Sequence, residues 1–339
     1  MEILTFKLIY KGVLRLQQLL PEIIPKQGII KEIRKSIQVL PIPISGLLLG
    51  IISAGTMLSP YGNIFKILSG LIFLFVTLML ILKTVIYTNM IIKDLQNPVI
   101  AGIASTFPMA IVVLSTYIYP FYSLAAFIIC GLGILMHIFL IIYYTNKYLL
   151  NFNLQQVLPS YFVVYVGIAI FSVVSPVFNA MWIGQILFWF GFIAYLLLLP
   201  VISYRVFVIN SIPEPILPTI AIFAAPASLC LTGYLNSFQE KNMVIVWLLA
   251  FLSITMLFMV LLYMPKMTKN KFFPSYSAFT FPLVISAIAM TSLDTFLISI
   301  GVEIAILKYL ALFEEFLAVF FVIYVFVKYI SFLFHDNCR

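Results

Sequence analysis

The chain has 339 residues, of which 64% are hydrophobic and only 9% are charged, and its formal net charge is +8. A soluble domain carries roughly 25% charged residues, so this composition excludes a soluble globular protein of this size. The Lys and Arg residues are scattered between long apolar runs, which favours a role in membrane orientation over nucleic-acid binding. The composition therefore predicts a polytopic membrane protein that does not bind nucleic acid.

Motifs for enzymatic or metal chemistry are missing from the sequence. There is no GxxxxGK[ST], GxGxxG, HExxH or GxSxG pattern, so we expect no enzymatic activity and no cofactor. Cys130, Cys230 and Cys338 form no CxxC pair, and the two histidines lie far apart, which argues against a metal site. His137 stands alone in an apolar run, where a structural or interfacial role is expected and pH sensing is the alternative.

Residues 1–36 differ from the rest of the chain. They mix apolar positions with seven Lys or Arg and three Glu. This pattern predicts an amphipathic, basic segment that lies on the anionic cytoplasmic leaflet of the bilayer. A mobile basic tail is the alternative interpretation.

Ten apolar spans follow this segment within residues 37–333. A bilayer-spanning helix needs ~20 apolar residues, and strands of a membrane β-barrel are only ~10 residues long, so the spans predict ten transmembrane helices. Short links predict that they form five antiparallel hairpins. The predicted spans, from the first to the tenth, are 39–58, 64–92, 98–118, 121–149, 159–177, 180–208, 216–236, 242–264, 274–293 and 302–333.

The flanking charges predict the orientation of the spans. Most Lys and Arg residues lie in the N-terminal segment, after the even-numbered spans, or near the C-terminus. By the positive-inside rule both termini are cytoplasmic, including a short tail at 334–339. We expect a multi-pass protein of the plasma membrane.

A repeat runs through the odd-numbered spans. The first, third, seventh and ninth spans contain Pro43, Pro108, Pro226 and Pro282 at similar positions. The fifth span lacks such a proline, but Val164 holds the matching position and Gly167 lies close by. An internal proline removes a backbone donor and bends a helix. The spacing predicts one kinked helix in each hairpin and a quasi-fivefold arrangement.

The odd-numbered spans contain no Lys, Arg, Asp, Glu or His. Small and hydroxyl side chains favour close helix packing, so we expect the odd spans to form an inner ring around a pore and the even spans an outer ring. The predicted polar pore-lining residues are Ser45, Ser105, Thr106 and Thr280.

The even-numbered spans carry the charged residues of the apolar region. Lys83 in the second span is a candidate ion-pair partner of Glu314 or Glu315 in the tenth span, because the two spans would be neighbours in a closed ring. The alternative is that Lys83 extends towards the cytoplasmic headgroups.

Four segments resemble the tellurite-resistance/dicarboxylate transporter family, which includes bacterial TehA, fungal malate permeases and the plant guard-cell slow anion channels. They are NPVIAGIASTFPMA, LPSYFVVYVGIA, EPILPTIAIFAAPA and FTFPLVISAIAM, and the similarity extends over about residues 38–330. The resemblance implies a pore through each subunit of a homotrimer. It also implies that the phenylalanine before the ninth-span proline, Phe281 here, occludes the pore.

An anion channel for small monovalent anions such as chloride and nitrate is the leading functional hypothesis. The uncharged inner spans favour it, because tight dicarboxylate binding would normally use Arg or Lys. The alternative is a proton-linked carrier of C4-dicarboxylates, sulfite or tellurite, which the acidic residues of the tenth span would support. A membrane-embedded enzyme or scaffold is a third class, for which no catalytic constellation is present.

Overall fold

The structure is a computed structural model that describes residues 34–269 and 271–335. The predicted N-terminal segment, 1–36, and the predicted tail, 334–339, lie almost entirely outside this part of the chain. All regular secondary structure of the described residues is helical.

Eight helices are long and apolar enough to cross a membrane. They confirm the prediction of an all-α polytopic membrane protein. Two shorter apolar helices, Ile44–Met57 and Gly167–Phe178, occupy the first and fifth predicted spans, so the count of ten crossings stays a prediction. The eight long helices are Asn63–Ile86, Pro98–Ile118, Ser123–Leu149, Met181–Ile209, Glu214–Ser237, Met243–Thr268, Pro274–Ser299 and Ala305–Leu333.

The second span is shorter than predicted. Its helix ends at Ile86, and a separate short helix, Thr88–Asp94, follows on the link to the third span. The fourth and sixth spans keep their predicted length but finish in π-helical turns, Thr145–Leu149 and Tyr204–Ile209.

Every odd-numbered span is interrupted near its middle or its start. Prolines lie within a few residues of four of the breaks, where a missing N–H disrupts the α-helical hydrogen-bond pattern; the fifth span breaks at Val166 and Gly167 without one. The first span turns at residues 42–43 before Ile44–Met57. The third span divides into Pro98–Ala104 and Thr106–Ile118, and the fifth into Ser160–Tyr165, Gly167–Ala169, Ile170–Val174 and Ser175–Phe178. The seventh divides into Glu214–Ala224 and Ala225–Ser237, and the ninth into Pro274–Phe279 and Phe281–Ser299.

The odd-numbered spans form a closed ring, in which the first contacts the third, the third the fifth, the fifth the seventh, the seventh the ninth and the ninth the first. Each packs against the even-numbered span that follows it, which gives five hairpins. In the even-numbered helices 17–33% of the apolar stretch is buried in the protein, against 61–94% in the third, seventh and ninth spans. The structure therefore has an inner and an outer ring of helices.

Small residues allow the inner helices to approach each other closely. A Cβ atom added at Gly50 would lie 2.5 Å from the Cβ of Thr280, and one added at Gly102 would lie 2.7 Å from the Cβ of Ser160. These contacts join the first span to the ninth and the third to the fifth. Without a hydrophobic driving force between helices in lipid, such close backbone packing is a main source of association.

We predict that Gly50→Ala lowers the thermal stability of the purified protein in detergent. The new methyl group would overlap Thr280 and force the first and ninth spans apart, and overpacking of this kind costs about 1–3 kcal/mol. The matched control is Gly131→Ala on the fourth span, where an added Cβ meets no described atom within 4 Å. An unchanged melting temperature for Gly50→Ala would contradict the packing described here.

Candidate functional site

A small cavity lies on the axis of the inner ring. Its volume is about 40 Å³. Since one water molecule needs roughly 10–15 Å³, the space holds only a few waters. All five odd-numbered spans line this central cavity and no even-numbered span does. The lining residues are Gly46, Ile103, Thr106, Met109, Phe162, Val163, Val166, Gly167, Ile222, Ala225, Pro226, Leu229, Ser277, Ala278, Phe281 and Pro282.

The central cavity is apolar, and none of the described residues that line it is charged. Within the described part of the chain, Thr106 and Ser277 are its only polar lining residues. An apolar constriction repels water as well as ions, so a site of this kind controls passage by its width and its cost of hydration.

Five of the residues predicted for the pore lie in the lining of this cavity: Thr106, Gly167, Pro226, Pro282 and Phe281. They come from the third, fifth, seventh and ninth spans. The structure thus brings the predicted gate residue together with three of the predicted kink positions.

The other predicted pore residues lie behind the lining. They are Pro43, Ser45, Ser105, Pro108, Val164 and Thr280, and all six are buried in the helix packing. Ser45 Oγ lies 2.8 Å from Thr106 Oγ1, a contact that joins the first and third spans. Pro108 lines a separate pocket between the first hairpin and the second. These side chains shape the ring rather than its inner surface.

Phe281 is held at the start of the outward half of the ninth span. A 3₁₀-helix ends at Phe279, and the α-helix begins at Phe281 with Pro282 as its second residue. Between them, Thr280 Oγ1 lies 2.7 Å from the carbonyl oxygen of Ser277 and 3.0 Å from that of Gly46. This hydroxyl fixes the break against the first span, and with it the position of the Phe281 ring beside the cavity.

A side-chain donor reaches a backbone carbonyl at every break of the inner ring. Inside a membrane protein an unpaired carbonyl is costly, because no water replaces the missing bond. The five donor–acceptor pairs are Lys83 Nζ to Leu40 (2.5 Å), Thr106 Oγ1 to Ile103 (2.7 Å), His137 Nε2 to Val164 (2.9 Å), Ser228 Oγ to Ala224 (2.6 Å) and Thr280 Oγ1 to Ser277 (2.7 Å).

His137 of the fourth span has the structural role expected from the sequence. Its Nε2 atom donates to the Val164 carbonyl just before the fifth-span break. Gly167 makes room for the ring, because an added Cβ would lie 3.0 Å from His137 Cε1 and 2.7 Å from Met109 Sδ. His137 therefore supplies a donor at the one break without a proline, and Gly167 makes the room that its ring needs.

The candidate ion pair of Lys83 with Glu314 or Glu315 is not formed. Lys83 is buried and donates to the carbonyl oxygens of Gln38 and Leu40. The second and tenth spans run in the same direction. With about 1.5 Å of rise per residue, Lys83 lies roughly 15 Å farther from the start of its helix than Glu314 lies from the start of the tenth span. Two charges on neighbouring spans pair only if they also lie at the same depth, and these do not.

The two glutamates have different partners of their own. Glu314 is 1% exposed and accepts a hydrogen bond from Ser286 of the ninth span at 2.7 Å. Glu315 accepts one from the hydroxyl of Tyr61, on the link between the first and second spans, at 3.1 Å. This bond raises the pKa of the Tyr61 phenol, because the phenolate form would lose it and would lie beside the carboxylate.

Sequence reasoning missed the apolar residues that dominate the cavity lining, among them Ile103, Met109, Val166 and Leu229. They are ordinary helix residues in composition, and only their rotation towards the axis distinguishes them. Sequence reasoning also did not name the partner of His137. The signal for one was a lone histidine in an apolar span, which needs a polar contact.

We predict that Lys83→Met lowers the melting temperature by leaving the buried carbonyl oxygen of Leu40 without its side-chain donor, at a cost of about 1–3 kcal/mol. Lys308→Met, at an exposed position of the tenth span, is the control and should leave it unchanged. Because Lys83 and Glu314 do not touch, the effects of Lys83→Met and Glu314→Gln should add. A strong coupling between these two substitutions in thermal unfolding would contradict the contacts above.

Comparison with known proteins agrees with this architecture. The family model described as "Voltage-dependent anion channel" (SLAC1) matches residues 39–330, which include all five hairpins. A search of curated proteins found no match. The family match confirms the resemblance noted in the sequence, and the chain belongs to the SLAC1 family of voltage-dependent anion channels, within the tellurite-resistance/dicarboxylate transporter group.

Proposed function

We propose that the protein is an anion channel that passes small monovalent anions, such as chloride and nitrate, along the axis of the inner ring. The observation that carries this proposal is the central cavity, which all five inner spans line without a charged side chain. A conduit must bind an ion strongly enough to admit it and weakly enough to release it. A neutral, narrow cavity binds an ion weakly enough to release it.

The N-terminal ends of the inner helices provide the attraction that admits an anion. Four α-helices begin beside the cavity: Ile44–Met57, Thr106–Ile118, Ala225–Ser237 and Phe281–Ser299. A helix N-terminus carries about half a positive elementary charge, which favours anions. The opposing carbonyl ends of the preceding segments are partly neutralised by the side-chain donors at the breaks. The balance at the axis therefore favours an anion without a fixed cation.

Phe281 is the residue proposed to close the conduit. It is 5% exposed and shares the lining with large apolar side chains such as Met109, Phe162 and Leu229. A ring of this size beside a cavity that holds only a few waters is enough to block an ion. Its removal would join the space of the side chain to the cavity.

The alternative is a proton-linked carrier of C4-dicarboxylates, sulfite or tellurite. Glu314 favours it, because this acid is buried against Ser286, about one and a half helical turns beyond the Phe281 break. Buried acids within membrane spans often take part in proton relays. In planar bilayers, a reversal potential that follows the chloride gradient and ignores the pH gradient would support the channel, whereas flux that requires a proton gradient would support the carrier.

The finer assignments of location and assembly are also proposals. We place the protein in the plasma membrane with both termini in the cytoplasm, as the distribution of Lys and Arg indicates. The outward faces of the even-numbered helices expose many large apolar side chains, including Phe75, Phe139 and Phe316. Such faces suit lipid or a second subunit, and a homotrimer, as the family resemblance implies, would cover part of them.

We predict that Phe281→Ala strongly raises single-channel conductance or open probability with little change in selectivity, measured in planar bilayers. The matched control is Phe279→Ala. Phe279 packs between Tyr276 and Phe321, with ring centroids 5.3 and 5.6 Å away, and is not part of the cavity lining. This control should leave conductance unchanged but cost about 3–5 kcal/mol of stability, as core truncations do. A folded Phe281→Ala protein that conducts no more than the parent would refute the gate.

We also predict that nitrate and iodide permeate at least as well as chloride. In a conduit without fixed charge the ions are ranked by the cost of losing water, and the loosely hydrated ions lose it most easily. Reversal potentials of Phe281→Ala under bi-ionic conditions measure this order. A strong preference for chloride over nitrate would contradict a conduit without fixed charge.

A further inference from the structure

A second cavity lies at the predicted cytoplasmic end of the inner ring. Its volume is about 380 Å³, far larger than that of the central cavity. Its wall is formed by residues 97–99 at the start of the third span, 155–158 before the fifth, and residues between 205 and 216 on the link from the sixth span to the seventh. We call it the Arg205 pocket.

Arg205 is the only charged residue that lines this pocket among the described residues. It is 4% exposed. Its Nε atom donates to the carbonyl oxygen of Gln155 at 3.2 Å, and its Nη2 atom donates to that of Ser211 at 2.8 Å. Its Nη1 atom is buried and has no hydrogen-bond partner in the described part of the chain. Two nitrogens hold the guanidinium in place, and the third has no acceptor among the described residues.

The positive charge of Arg205 is also not balanced by any carboxylate described in the structure. A buried cation without a counter-charge is costly unless a ligand or partner neutralises it. A guanidinium with free N–H groups matches the planar geometry of a carboxylate or a nitrate better than it matches a spherical ion. The amide side chains of Asn97, Gln155 and Gln156 add further N–H donors on the same wall.

A thin apolar layer separates the Arg205 pocket from the central cavity. Val99, Ile103 and Leu158 form one buried cluster, against which Ile216 packs. Val99, Leu158 and Ile216 line the Arg205 pocket, whereas Ile103 lines the central cavity. An anion in the pocket would therefore lie next to the inner end of the proposed conduit, with a single layer of apolar side chains between.

We propose that the Arg205 pocket is a binding site for a small planar oxyanion, a carboxylate or nitrate, which enters from the cytoplasmic side. Arg205 supplies the charge that the central cavity lacks, and the three amides complete the donor set. The site concentrates anions at the inner mouth of the ring. Binding there requires no current, so this proposal goes beyond the channel function and can be tested without it.

The test uses a substitution that leaves the hydrogen bonds of Arg205 in place. Arg205→Gln would free the carbonyls of Gln155 and Ser211 and could unfold the link. Gln156→Glu instead adds a negative charge to the pocket wall at an exposed position. The matched control is Gln239→Glu, exposed on the link between the seventh and eighth spans, at the opposite end of the ring.

Calorimetric titration of the purified full chain in lipid nanodiscs, with sodium nitrate and sodium acetate at constant ionic strength, measures the binding. We expect saturable binding of both oxyanions and weaker binding of chloride. Gln156→Glu should weaken nitrate and acetate binding by about fivefold, since two like charges about 4 Å apart in water repel each other by about 1 kcal/mol. Gln239→Glu should bind as the parent does.

Two results would overturn the proposal: no saturable binding of either oxyanion by the parent, or equal affinities for the parent and Gln156→Glu. Currents through Phe281→Ala separate this outcome from failure of the channel. Oxyanion binding without current would leave the Arg205 pocket intact and refute the conduit. Current without oxyanion binding would refute the pocket alone.

Discussion

The structure depends on how the carbonyl groups at five interrupted helices are satisfied. Each inner span changes direction or helix type beside the axis, and each break exposes backbone groups to an interior without water. Hydroxyl side chains of the inner spans add a donor at three breaks, and Lys83 and His137 of the outer spans add one at the other two. Because these donors fix the breaks, they also fix which residues face the cavity.

The same arrangement explains why the axis is neutral although charged residues lie close to it. Lys83 is directed at backbone carbonyls, Arg205 lies at one end of the ring, and Glu314 faces Ser286 between the ninth and tenth spans. None of the three lines the central cavity. A fixed charge on the axis would hold an oppositely charged ion too tightly or exclude one of like charge. Helix ends provide a weaker, distributed field, which suits an ion that must pass.

The inner and outer rings are built from side chains of different size. Glycine and serine at the joints of the inner ring let backbones approach, as Gly50 does against Thr280 and Gly102 against Ser160. The outer helices instead present large apolar side chains to their surroundings. The inner ring can thus be narrow at its axis, and the hydrophobic outer ring keeps it within the membrane.

The sequence by itself determined the class of the protein, the approximate limits of its apolar spans and the positions of the four helix breaks that lie beside prolines. These properties follow from local chemistry: apolar content decides membrane insertion, and proline removes a backbone donor wherever it stands. The family, too, could be recognised from short segments around those prolines. The tertiary structure alone decided which side of each inner helix faces the axis. It places Gly167 and Pro226 in the lining but Ser45, Ser105 and Val164 behind it. It also decided the partners of Lys83, Glu314 and His137, because these depend on the depth and rotation of neighbouring helices, which no local pattern in the sequence records.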